Sequence, residues 1–257
     1  MTQRRETFAA GERPRLSIQV SSGDVRVVAG DSTDTIEVLL DGSESTVGRY
    51  TVEQHGDTIE IAPDKSGARR WSRVDVIVSG PPEMALEARL KSADLDVQVP
   101  LRWLRVGVAS GDIRARDISG DADIKTASGD VRLENVGGRC DVSAASGEIR
   151  IGTAMGECTV NSASGDVVVR SAADRARFRT ASGDVTVGSC TGPECFSKTV
   201  SGDVRVGIPG GRTIDVDIRS FSGEVYNNLK PSGEDKTGRL ALKVTTVSGD
   251  VELRPAR

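Results

Sequence analysis

The sequence predicts an all-β fold, a single-stranded β-solenoid of the β-helix or β-roll kind, with about 18 residues in each coil. Three observations lead to it. A Ser-Gly-Asp/Glu triplet recurs at a fixed spacing, apolar and polar residues alternate after each triplet, and aromatic residues are few. Only 3% of the 257 residues are aromatic and 29 are glycine, which suits thin stacked β-structure better than a helical core.

The repeat is carried by the triplet, whose serine recurs every 18 residues through the middle of the chain. Insertions then lengthen the period. The serines are Ser110, Ser128, Ser146, Ser164, Ser182, Ser201, Ser222 and Ser248. One period upstream, Ser92-Ala93-Asp94 takes the same place. Self-similarity at a fixed period predicts coils that stack on one another.

Each coil is predicted to contain two strands. Apolar and polar residues alternate directly after the triplet, and a second alternating run fills the other half of the unit. Such alternation is typical of a strand with one buried face. The inward columns include Leu95, Ile113, Val131, Ile149, Val167, Val185 and Val204 in the first strand, and Leu104, Ala122, Cys140, Cys158 and Ala176 in the second. We expect a flattened coil with two sheets, while three shorter sides and either handedness stay open.

Residues 1–72 lack the strict period but contain strand-like runs and one early triplet, Ser22-Gly23-Asp24. We expect irregular β coils there that cap the regular repeats of residues 73–257 within one continuous domain. Capping is required because an open end presents unpaired backbone groups to other strands. At the other end, Arg254-Pro255-Ala256-Arg257 follows the last strand, and a proline beside charges predicts a blocked edge.

The triplet is interpreted as the corner where a coil enters its first strand. Glycine adopts a positive φ there, and the serine and the acid cap turn amides. The predicted corner residues are Gly111, Asp112, Gly129, Asp130, Gly147, Glu148, Gly165, Gly183 and Gly202. Stacked carboxylates about 5 Å apart repel by roughly 1 kcal/mol per neighbour even in a water-like dielectric. Arg114, Arg132 and Arg150 follow their acids by two residues and are expected to offset this repulsion.

Asp166 and Asp184 are the candidate positions for a cation, because Val168 and Thr186 replace the arginine in their coils. Calcium-binding β-rolls use GGxGxDxUx nonapeptides, and the GxGxD core of that pattern is missing from this sequence. Turn chemistry therefore accounts for the acidic column, and neither a metal site nor a cofactor is predicted.

The four cysteines are predicted to be buried free thiols that act as small apolar residues. They lack CxxC spacing, and His55 is the only histidine, so the pattern does not indicate zinc. Cys140 and Cys158 share one inward column about one strand spacing apart, which makes a disulfide between coils sterically conceivable. An inserted residue further along leaves open whether Cys195 or Phe196 faces the core.

Charge and hydropathy argue against several function classes. A net charge of −4 offers no basic footprint for nucleic acid, and no apolar run approaches the roughly 20 residues of a spanning helix. No signal peptide is seen, so we expect a cytoplasmic protein unless a leader has been trimmed. Because the sequence contains no GxSxG, P-loop or HExxH motif, neither an enzyme nor a catalytic residue is predicted.

Two segments resemble a known bacterial family. The run VDVIVSGPPEMALEARLKSADLDVQV, followed by repeated SGDVxV units, and the opening RLSIQVSSGDVRVVAGDSTDTIEV are similar to β-strand-repeat "putative adhesin" domains, also called toastrack domains. The resemblance covers nearly the whole chain. It implies a coiled β-stack and, in some members, association with envelope-stress or membrane-linked signalling proteins. It implies no catalytic residues.

The leading hypothesis is a non-catalytic β-solenoid scaffold or interaction module. Its partner would be a protein, such as a membrane-linked signalling protein, in envelope-stress signalling or adhesion, as the resemblance implies. An outward face bearing Arg114, Arg132, Arg150, Arg116 and Arg170 could meet an anionic partner such as phospholipid or an anionic wall polymer. A solvated, salt-bridged face is the simpler explanation. Two alternatives stay open. One is a structural protein that self-associates by end-to-end stacking of coils, and the other is a β-helix that binds calcium or binds and processes polysaccharide.

Overall fold

Alternating apolar and polar residues form strands throughout the computed structural model, which describes residues 1–64, 73–229 and 238–256. The predicted all-β fold class is confirmed. The described residues contain 23 strands and one short helix, α1 (Glu44–Val47). Within those residues, no helix has the length and apolar character needed to cross a membrane. Two compact units make up the chain, unit 1 (Met1–Gly129) and unit 2 (Asp130–Arg257).

Unit 1 combines long parallel strands with an antiparallel part. Its strands are β1 (Thr2–Ala9), β2 (Arg15–Ala29), β3 (Thr35–Gly42), β4 (Tyr50–His55), β5 (Thr58–Pro63), β6 (Val74–Gly80), β7 (Met84–Val97), β8 (Leu101–Ser110), β9 (Ile113–Ile118) and β10 (Ala122–Ser128). β2 pairs in parallel with β7 and places Ser22 opposite Ser92. β8 follows with Ser110 opposite Ser92, and β10 with Ser128 opposite Ser110. The early triplet therefore shares the register of the repeat.

The N-terminal strands differ from coils in their direction of pairing. β1 pairs with β3, β3 with β6 and β4 with β5, all antiparallel. Alternation alone could not reveal this, because strands with one buried face alternate in either direction of pairing. β2 also pairs with β5 and β6 along the edge opposite β7. Both edges of the first long strand are thus covered.

Unit 2 consists of two parallel ladders. Its strands are β11 (Val131–Val136), β12 (Cys140–Ser146), β13 (Ile149–Ala154), β14 (Cys158–Ser164), β15 (Val167–Ala172), β16 (Ala176–Ser182), β17 (Val185–Cys190), β18 (Glu194–Ser201), β19 (Val204–Ile208), β20 (Thr213–Ser222), β21 (Val225–Asn227), β22 (Arg239–Ser248) and β23 (Val251–Pro255). The odd-numbered strands β11 to β19 form one ladder, and the even-numbered strands β12 to β18 form the other. Each coil therefore contains two strands, as expected, and contributes one to each ladder of a continuous sheet.

The predicted inward columns form the core. Val131 lies opposite Ile149 and Ile149 opposite Val167, and all three side chains are completely buried. The structure also settles the register after the insertion. Cys195 lies opposite Ala176 and is buried, whereas Phe196 points outward, with the guanidinium of Arg179 5.5 Å from its ring centre.

The order of the last coils contradicts the prediction of a blocked C-terminal edge. β22 pairs with β18 on one side and β20 on the other, and β23 lies in the same way between β19 and β21. The segment around Pro255 therefore does not form the end of the stack. Within the described ranges 130–229 and 238–256, the outermost coil of unit 2 is formed by β20 and β21, which precede β22 in the sequence. Sequence order alone could not show this reversal.

Candidate functional site

The corner of each coil depends on a glycine. Gly165 has a φ of 118°, and a Cβ atom there would lie 2.2 Å from the carbonyl oxygen of Gly147 in the preceding coil. Any other residue would therefore be strained and would also overlap the backbone. Positive φ values occur at all the predicted corner glycines, Gly111, Gly129, Gly147, Gly165, Gly183 and Gly202. The geometry of the triplet is that of a turn.

The acid of the corner binds the backbone of the next coil. Oδ1 of Asp166 accepts a hydrogen bond from the N–H of Asp184 at 2.9 Å, and Oδ1 of Asp184 accepts one from Asp203 at 2.9 Å. In the same way, Oδ1 of Asp94 accepts a hydrogen bond from the N–H of Asp112 at 2.8 Å, and Oδ1 of Asp130 accepts one from the N–H of Glu148 at 3.0 Å. Bonds from backbone N–H groups stabilise a carboxylate, so they offset the repulsion within the column. The sequence predicted that the acid caps a turn amide, but not that this amide belongs to the next coil.

The predicted arginine partners are in place. The ion pairs are Arg114–Asp112 at 2.7 Å, Arg132–Asp130 at 3.6 Å and Arg150–Glu148 at 2.5 Å. These three arginine side chains remain 43 to 49% exposed. Exposed pairs of this kind contribute roughly 0–1 kcal/mol, so the guanidinium groups can exchange their partners at little cost.

Arg205 supplies positive charge at the candidate cation position Asp184. It lies in the next coil, opposite Thr186, and its Nη1 atom is 3.0 Å from Oδ2 of Asp184. The hydrogen bond to Asp184 raises the pKa of Arg205 above its ordinary value. In the part of the chain that the structure describes, no three His, Cys, Asp or Glu side chains are grouped to hold a metal ion.

All four cysteines lie in unit 2, where they are free and buried. The thiol of Cys140 donates a hydrogen bond to Cys158 in the next coil, and this bond together with burial raises the pKa of Cys140 well above its ordinary value. Cys195 donates to Cys190, and its pKa is raised for the same two reasons. The bond from Cys195 lowers the pKa of Cys190. The thiols therefore pack against each other inside the core.

A groove of about 540 Å³ lies on the outer face of the odd-numbered ladder of unit 2. The residues that give it its character are Arg132, Glu134, Arg150, Gly152, Val168 and Arg170. They come from β11, β13 and β15, because residues one coil apart stack side by side in a parallel ladder. The structure thus brings Arg132 and Arg150 together, whereas Arg114 belongs to unit 1 and does not line the groove.

Gly152 explains why this part of the face is concave. A Cβ atom at Gly152 would lie 2.3 Å from the carbonyl oxygen of Glu134 and 3.0 Å from a guanidinium nitrogen of Arg170. The missing side chain leaves room into which Arg170 reaches. Sequence reasoning did not single out Gly152, although a glycine inside a strand often marks the close approach of another group.

The groove combines positive charge with hydrogen-bonding capacity. Arg132, Arg150 and Arg170 are all exposed. Each guanidinium presents a planar set of donors that matches a carboxylate. Within this groove, Glu134 is the only acidic lining residue. The arrangement can bind a carboxylate and can receive an amide donor beside it.

Comparisons with known proteins agree with this fold. The chain matches the family model described as Toastrack DUF4097 over residues 14–254. It is similar to the solved structure of a "putative lipid binding protein" from Parabacteroides distasonis, with a TM-score of 0.51, 15% identity, and coverage of 97% of this chain and 96% of that chain. A "putative adhesin" from Bacteroides fragilis also matches, with a TM-score of 0.36, 14% identity, and coverage of 98% and 97%. No curated protein matches the chain.

Proposed function

This chain belongs to the Toastrack DUF4097 family, and we propose that it is a non-catalytic interaction module that binds an acidic protein segment in the groove around Gly152. The observation that supports this proposal is the convergence of Arg132, Arg150 and Arg170 on one exposed concavity. A partner carboxylate can form paired hydrogen bonds with a guanidinium there. The β-solenoid supplies the rigid ladder that keeps these side chains at a fixed spacing.

The chemistry of the groove favours a protein partner over an anionic membrane. A lipid surface presents uniform negative charge, which Glu134 at the groove would oppose. A peptide presents amide donors as well as carboxylates, so both Glu134 and the arginines find partners. In line with the family resemblance, the proposed partner class is a membrane-linked signalling protein with an acidic segment.

The test is a binding titration with a defined acidic probe. A fluorescent oligoglutamate peptide is titrated with the full chain, and its anisotropy is followed at low and at physiological salt. We expect Arg150→Glu and Arg170→Glu each to weaken binding by about tenfold or more, since a charge reversal in the groove replaces attraction with repulsion. Added salt should weaken binding by the unaltered chain.

The matched control is Arg114→Glu. Arg114 occupies the equivalent position of the repeat and is paired with Asp112 in the same way, yet it does not line the groove. We expect its affinity to change by less than about twofold. Equal losses in all three variants would contradict a groove-specific site. Vesicles of anionic phospholipid form a second arm, and binding to them without binding to the peptide would overturn the proposed partner class.

A further inference from the structure

The outermost coil of unit 2 has an open edge. β20 pairs with β22 and β21 pairs with β23, and no other strand of the described residues pairs along their far sides. In a parallel ladder, alternate residues direct their N–H and C=O groups to opposite sides. Half of the backbone groups of the ten-residue β20 therefore point away from the stack. Such an edge is a template for another strand.

The side chains of this coil are also incompletely covered. Val216 and Val225 occupy inward columns, but they are 44% and 50% exposed. Their counterparts one coil inside, Leu242 and Val251, are 1% and 0% exposed. Among the residues that the structure describes, no further layer covers these inward side chains. Exposed apolar surface of this kind marks a contact site.

A row of apolar residues borders the same edge. The residue before the corner serine is alanine in the preceding coils of unit 2, Ala145, Ala163 and Ala181. In the last three coils of unit 2 this residue is larger. From the inner coil to the outer one it is Val200, Val247 and Phe221. Phe221 is 90% exposed. The apolar character of the surface therefore increases towards the open end.

We propose that β20 of one chain pairs with β20 of a second copy, in an antiparallel contact about a two-fold axis at Ile218. This register places Asp217 opposite Arg219 of the other copy, and the symmetry repeats the pair. Opposite charges facing each other across two strands stabilise their pairing. Within each chain, Asp217 lies 3.2 Å from Arg219 and 3.6 Å from Lys243. These ion pairs are exposed, so Arg219 can change partners at little cost.

The alternating faces of β20 fit this contact. A two-fold axis at a residue pairs inward positions with inward positions, so Ile218 meets Ile218, and Val216 meets Ser220, on the core side. A slip of one residue would turn these side chains to the wrong face. The pairing closes the core end and satisfies the open backbone groups at the same time.

A closed pair is favoured over a filament. A filament needs a second open edge on the same chain, and in unit 1 the long strand β2 is paired along both edges. The edge strand β1 of the antiparallel part carries Arg4, Arg5 and Glu6, and charged residues of this kind hinder edge pairing. An isologous contact uses the edge of β20 twice and then stops.

The test is sedimentation velocity of the full chain, from low micromolar to several hundred micromolar concentrations. We expect a monomer–dimer equilibrium. Asp217→Arg and Arg219→Asp should each raise the dissociation constant by about tenfold or more, since each places like charges opposite each other. The double variant Asp217→Arg/Arg219→Asp should restore dimerisation, because the charges are exchanged and again complementary.

The matched control is Arg89→Asp in unit 1. Arg89 pairs with Glu87 two residues before it, as Arg219 does with Asp217, and it is similarly exposed. This variant should dimerise as the unaltered chain does. A monomer at all concentrations, a dimer indifferent to the single reversals, or open-ended polymers would each overturn the proposal. Melting curves of every variant check that the chains are folded. The dimerisation test does not depend on the arginine-lined groove, so either proposal can fail without the other.

Discussion

At the corner of each coil, Gly165 and Asp166 illustrate two different requirements. Gly165 is needed because it has no side chain, since a Cβ atom would overlap the carbonyl group of Gly147. Asp166 is needed for its short reach, because its carboxylate accepts the N–H of Asp184 in the next coil. Both roles are structural, and both act between neighbouring coils. A repeated serine, glycine and acid can therefore resemble a catalytic or calcium motif while acting as a turn.

Substitution of Gly165 by alanine tests the steric requirement. We expect Gly165→Ala to lower the free energy of unfolding by about 1–3 kcal/mol, the cost of a sparsely populated backbone conformation, and more if the overlap forces the coils apart. The control is Gly107→Ala, since a Cβ atom at Gly107 meets nothing within 4 Å. Its effect should be within about 0.5 kcal/mol. Urea unfolding followed by circular dichroism measures both, and equal effects would contradict the corner assignment.

At the scale of the strand, parallel pairing decides which residues of a strand face the core where alternation alone allows two registers. The insertion after Cys190 made Cys195 and Phe196 equally plausible core residues. Pairing with β16 places Cys195 opposite Ala176 and turns Phe196 outward under Arg179. The neighbouring coil thus selects the register, because a slip of one residue would expose every inward side chain.

The two phenylalanines of neighbouring strands provide a test of this register. Phe178 in β16 is completely buried, so Phe178→Ala should cost about 3–5 kcal/mol through lost burial and a cavity. Phe196 in β18 lies on the outer face, so Phe196→Ala should cost less than about 1 kcal/mol, mainly from its contact with Arg179. Chemical denaturation of both variants measures the difference. A larger loss for Phe196→Ala would show that the register is shifted by one residue.

At the scale of the whole molecule, the dependence of stability on pH should reflect where the buried thiols lie. All four are in unit 2, and the pKa values of Cys140 and Cys195 are raised by hydrogen bonds to Cys158 and Cys190 and by burial. Below the ordinary thiol pKa of 9.0, these two thiols are protonated in both the folded and the unfolded chain. Above it, the unfolded thiols ionise while the folded ones keep their protons, so stability falls.

We expect the free energy of unfolding to decrease between about pH 8.5 and pH 10.5, with each raised thiol contributing a slope of up to about 1.4 kcal/mol per pH unit. The lowered pKa of Cys190 acts in the opposite direction. Cys140→Ala should make the alkaline decrease shallower, because it removes one of the thiols whose pKa is raised. Alanine already occupies the same buried column at Ala122 and Ala176, so the substitution suits the core. Urea unfolding at several pH values checks this. An unchanged slope would show that Cys140 ionises equally in both states.

The prediction from sequence succeeded where the repeat is strict. Columns such as Val131, Ile149 and Val167 follow from period and alternation alone, and they are completely buried. The prediction from sequence was incomplete where contacts depend on partners distant in sequence. The hydrogen bond from Asp184 to Asp166 and the gap at Gly152 appear only when two coils are placed side by side.

The sequence by itself determined the fold class, the 18-residue coil, the inward columns and the corners, because each of these follows from local backbone preference and from burial of one strand face. The tertiary structure decided the antiparallel pairing of β1, β3 and β4, the place of β20 outside β22, and the gap at Gly152 into which Arg170 reaches. The physical reason is that an alternating strand can pair on either edge and in either direction. Only competition among all the strands for partners selects one arrangement, and with it the surfaces left free to bind.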